Sequence, residues 1–214
     1  MVTTPASFKK DSLHLRTDGG ATYFISDNYF YKSEAYYRIV QLEVEGKHAV
    51  PSSKEVIEAF IVPVCLEKAR MQGIPVCAWE VSYSYVSLPC IAYGIHYYSD
   101  PAEYGILRET EVAHEVIGHI TNHGKYPFCY QPISKSAEVF SIVAIFGRTT
   151  AEQLELKDLA RAVYATFHIP FLSMTVVWDG QSFVLSSLSN AKYSKLSRQD
   201  RALLRSNLGD STDE

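Results

Sequence analysis

Residues 50–73, VPSSKEVIEAFIVPVCLEKARMQG, constrain the fold more than any other stretch of this sequence. Ser52 followed by Glu55 forms a capping box, so a helix is expected to begin at Ser53. Gly73 supplies a residue suited to the left-handed close of a helix, and Pro75 stops any continuation. Val56, Ile57, Phe60, Ile61, Val64 and Met71 recur at helical spacing, while Val62, Cys65 and Leu66 cover much of the other side. A helix apolar on several faces belongs in a core. Pro63 removes the bond to the Ala59 carbonyl, at about 3 kcal/mol in a helix interior, so a kink is expected at residues 59–63.

Enough apolar side chains surround this helix to bury it: 47% of the 214 residues are hydrophobic and 21% charged. A net charge of −4 speaks against a general nucleic-acid or anionic-membrane binder. No apolar run approaches the roughly 20 residues of a membrane span. Met1 to Arg16 lacks the apolar run of a signal peptide. Cys65, Cys77, Cys90 and Cys129 form no C-x-x-C pair and read as reduced, buried thiols of a cytoplasmic protein.

The expected organisation is a loose arm over residues 1–20, one domain over 21–208 and a frayed tail over 209–214. Within the domain, a strand at Ala21–Ser26 precedes a helix capped by Ser33 and closed by Gly46. A strand at Lys47–Val50 leads into the first helix described above, an order that suggests parallel pairing. Strands are expected at Ile74–Val81, Leu88–Tyr98 and Tyr126–Gln131, with a Thr110-capped helix at Glu111–His123. Glu138–Phe146 is the most apolar strand and is expected inside a sheet. Thr150 with Gln153 marks a helix from Ala151 to Phe167. A hairpin follows across Asp179-Gly180, and Ser197 with Asp200 starts the last helix. The fold class is α/β or α+β: a mixed sheet flanked by helices, with a C-terminal hairpin and helix.

Three places carry candidate chemistry. Tyr29 and Tyr31, with Tyr36 and Tyr37, offer either an aromatic ligand wall or amphipathic packing. Arg148 and Thr149 follow Gly147, after the apolar strand and ahead of a capped helix, where α/β sheets hold carboxylates or phosphates. His114-Glu115-Val116-Ile117-Gly118-His119 is the third. Its histidines are spaced i, i+5, about 140° apart on a regular helix, so joint zinc ligation needs a π-bulge. His119 and His123 are an i, i+4 pair, and Glu138 is a further possible ligand. With Glu115 as general base, this set defines the alternative of a zinc-dependent hydrolase or peptidase. The run resembles the HExxGH segment of the dipeptidyl peptidase III family over six residues. The preferred expectation is a regular helix with His119 and His123 on a partly buried edge and no bound zinc. Neither G-x-x-x-x-G-K-[ST] nor G-x-G-x-x-G occurs.

Three segments resemble the N-terminal domain of RimK-like ATP-grasp proteins. They are residues 46–76, centred on VPSSKEVIEAFIVPVCLEKARMQGIPV; Phe146-Gly147-Arg148-Thr149 with LARAVYATFHIPFLSMTV at 159–176; and LSSLSNAKYSKLSRQDRALL at 185–204. Residues 76–136 resemble the family least. The resemblance implies a small α/β module that precedes a ligase joining an amino acid to a carboxylate with ATP and Mg²⁺. With no nucleotide-binding element before Glu214, it implies a stand-alone accessory or substrate-binding domain, not catalytic alone. Its partners would be a separately encoded ATP-grasp ligase and a peptide or amino-acid substrate.

Overall fold

The computed structural model describes residues 12–84, 86–96 and 99–208. The chain divides into two compact units: Met1–Val56 with Val143–Ser173 and Asn190–Glu214, and Ile57–Ile142 with Met174–Ser189. The class is mixed α/β, as expected.

The first unit opens on a hairpin of β1 (Leu13–Asp18) and β2 (Ala21–Ser26), antiparallel with Leu15 opposite Phe24. The expected loose arm is therefore a strand over its described part. Gly19 and Gly20, at φ +56° and +83°, make the reversal that lets LHLRTD pair with ATYFIS. Ser33 caps α1 (Glu34–Val44), its Oγ accepting from Tyr36 N–H at 3.2 Å. The helix returns the chain to β3 (His48–Val50), parallel to β2, as the strand–helix–strand order requires.

The capping box ahead of α2 (Ser53–Phe60) closes in both directions: Ser52 N–H donates to Glu55 Oε2 at 2.7 Å, and Glu55 N–H to Ser52 Oγ at 3.2 Å. At Ile61, φ −98° and ψ +102°, the backbone leaves the helix, and α3 (Val62–Met71) begins with Pro63 in its first turn. The expected kink is thus a full break, which resets the helical phase. Val56, Ala59, Val62, Cys65, Leu66 and Ala69 are buried, whereas Ile57, Ile61, Val64 and Met71, read as core positions, are exposed.

The second unit holds an antiparallel sheet in the order β4 (Glu80–Ser82), β7 (Phe128–Pro132), β5 (Cys90–Gly94), β6 (Tyr104–Leu107). Strand alternation divides its core. Cys90, Ala92, Phe128 and Tyr130 pack with Ala113 and Ile117 of α4 (Thr110–Ile120). Ile91, Tyr93 and Cys129 pack with Val62 and Leu66 of α3. The strands at 74–81 and 88–98 are shorter than expected, and β6 carries no strand signal in the sequence.

Downstream lie β8 (Glu138–Ile145), α5 (Leu154–Phe167), β9 (Phe171–Trp178), β10 (Phe183–Ser189) and α6 (Arg198–Leu208). The hairpin of β9 and β10 is the one marked by Asp179-Gly180. Asp179 Oδ1 accepts from the N–H groups of Gln181 and Ser182. In the order β10-β9-β8, however, β8 is at the end and not inside: Glu138, Phe140 and Ser141 are exposed, while all but the last residue of β9 are buried. α5 starts at Leu154 and not at Ala151. Thr150 is therefore not the cap residue, which is Gln153; the Thr150 hydroxyl donates to Asp200 Oδ1 at 2.7 Å. Asp200 in turn forms the expected capping box with Ser197, at 3.2 and 3.0 Å. No helix among the described residues is long and apolar enough to cross a membrane.

Candidate functional site

The tyrosine corner separates into two environments. Tyr29 is fully buried; its hydroxyl donates to Phe24 O at 2.6 Å and accepts from Ser26 N–H at 3.2 Å. Burial raises its phenol well above the ordinary value. Tyr31 is 56% exposed and meets Tyr36 edge-on at 5.7 Å, with Lys32 Nζ over its ring at 5.4 Å. Tyr29 thus belongs to the core and Tyr31 to the surface.

Arg148 and Thr149 follow a tight reversal in which Ile145 and Arg148 exchange backbone bonds of 2.8 and 2.9 Å. Phe146 and Gly147 take φ +48° and +71° there. Arg148 is exposed, and Thr149 Oγ1 accepts from Ala151 N–H at 3.3 Å. Because α5 starts only at Leu154, the amides of its first turn lie five or more residues beyond Thr149.

The histidine run folds as a regular α-helix without a π-bulge. Glu109 takes the cap position with no side-chain bond, so Thr110 is the first helical residue and not the cap. The helix ends three residues earlier than expected. Thr121 Oγ1 donates to Ile117 O at 2.6 Å and accepts from Gly124 N–H at 2.9 Å. Asn122, His123 and Gly124 then follow at φ +49°, +57° and +82°. His123 is therefore outside the helix, and its backbone N–H caps Gly118 O at 2.7 Å. His114, His119 and His123 are all exposed, so the partly buried edge expected for the last two belongs to Val116, Gly118 and Ile120 instead.

These side chains still share a concavity. A depression of about 880 Å³ is lined by His96, His114, Glu115, His119, His123 and Tyr126, among others. A second, of about 370 Å³, shares His96, Val116 and His119 with it and adds Asp100, Glu103 and Tyr104. The ring of His96 lies tilted against Tyr126 at 5.1 Å. Glu138 lines neither depression. Among the described residues, no three His, Cys, Asp or Glu side chains are placed to hold a metal ion. His96, Asp100 and Glu103 escape sequence reading because only the antiparallel return of β5 into β6 brings them to α4. No local spacing marks them.

Comparison with known proteins bears on the chain as a whole. No curated protein matches it in sequence. Among solved structures it is similar to the RimK domain ATP-grasp protein of Sphaerobacter thermophilus DSM 20745, at 14% identity and a TM-score of 0.57 over 80% of this chain and 74% of that one. D-alanine--D-alanine ligase from Bacillus anthracis gives 9% and 0.57 over 80% and 72%. The ATP-grasp ligase PsnB, complexed with a phosphomimetic variant of minimal precursor, Mg and ADP, gives 13% and 0.52 over 77% and 60%. At these identities the likeness is one of fold, and the chain spans less than two thirds of PsnB. The family model matching residues 111–207 takes in two of the three resembling segments and the histidine helix, and leaves residues 46–76 outside. By that match, over just under half its length, the chain resembles the RimK-like ATPgrasp N-terminal domain family.

Proposed function

We propose that the protein is an accessory, substrate-binding module of an ATP-grasp amino-acid or peptide ligase, working in the cytoplasm beside a separately encoded ligase and not catalytic alone. The match of residues 111–207 to a domain defined by its place before an ATP-grasp unit carries this reading. Fold likeness to three ATP-grasp ligases supports it. In this reading the ligase activates the carboxylate, and this chain grips the amino acid or peptide that receives it. Binding by a second surface raises the effective concentration of substrate at the ligase without adding to the chemistry.

The test is co-purification from cells expressing the tagged chain with the products of neighbouring genes, followed by ligation assays. An ATP-grasp ligase is expected among the captured proteins, with ATP-dependent ligation that the chain stimulates through KM. ATP turnover by the purified chain alone, or a captured set without any ATP-grasp protein, contradicts the proposal.

A further inference from the structure

We draw no further inference here: the strongest candidate, the surface patch of exposed cations Lys195, Arg198 and Arg201 at the start of α6, is a row of solvated charges, and nothing in the structure shows what covers it.

Discussion

Tyr93 donates its phenolic hydrogen to Ser186. The two oxygens are 2.6 Å apart, and the direction is set by the next bond, because Ser186 Oγ donates its single hydrogen to Gln131 Oε1 at 2.5 Å. Gln131 Nε2 completes the loop by donating to Ser186 O at 2.7 Å. All three residues are buried, so each bond replaces one that water would otherwise supply.

Removing Ser186 Oγ strands two partners at once. Ser186→Ala is expected to cost about 2–4 kcal/mol, since Tyr93 O–H and Gln131 Oε1 both stay buried. Tyr93→Phe should cost less, about 1–2 kcal/mol, because Ser186 still donates to Gln131. Urea unfolding of the two variants checks the order; a Tyr93→Phe loss equal to or above that of Ser186→Ala contradicts the donor assignment.

Glu55 serves two neighbours with its two oxygens: Oε2 accepts from Ser52 N–H, and Oε1 lies 2.7 Å from His168 Nδ1. The cap is the larger contribution. Glu55→Ala should lose about 1 kcal/mol of stability. The His168 side chain is 49% exposed, so the pair itself is expected to contribute less than about 1 kcal/mol in a double-mutant cycle with His168→Ala.

Gly46 and Gly147 have nearly the same φ, +70° and +71°, but different surroundings. A Cβ at position 46 meets nothing within 4 Å, whereas one at 147 would stand 2.9 Å from Tyr164 Cβ. Gly46→Ala should cost about 1 kcal/mol from backbone strain alone. Gly147→Ala adds an overlap of about 1–3 kcal/mol. Thermal unfolding of both variants separates the two contributions.

Burial pushes the thiols of Cys77 and Cys129 up to about 12 and that of Cys90 to about 11, and raises Cys65 as well. In the unfolded chain a thiol loses its proton near pH 8.5. Above that pH the unfolded state binds fewer protons than the folded one, so stability declines as pH rises from about 9 toward 12. Native protein at pH 8 should react with a thiol reagent far more slowly than the urea-unfolded chain, in which all four cysteines should react. Rapid native labelling of any of them contradicts the burial assignment.

Capping boxes, turn residues and the parallel β2–β3 pairing were legible because each depends on a few neighbouring residues. Ser52 with Glu55 and Ser197 with Asp200 show the bonds their spacing predicts. Thr150 with Gln153 fits the same pattern and fails: the helix begins only at Leu154, with Gln153 itself in the cap position, and the Thr150 hydroxyl bonds instead to Asp200, 50 residues away. Strand position was also hidden. Apolar content placed β8 inside a sheet, yet interior position depends on having partners on both sides, and β9 has them. The histidine helix was readable as a regular helix, but not the left-handed exit that removes His123, nor the β5–β6 return that brings His96 and two carboxylates to it.

The break at Ile61 has a consequence for amide exchange with solvent deuterium. A helix leaves its first N–H groups without intrahelical acceptors, and Pro63 has none to exchange. The first turn of α3 has no side-chain cap, and Cys65 N–H bonds to Ile61 O at 2.8 Å, while Ile61 N–H bonds to Ile57 O at 3.2 Å. What the sequence presents as one continuous helix should therefore appear as two protected blocks. Val62 and Val64 would exchange early between them, placing the weakest point of the segment beside its most buried residues.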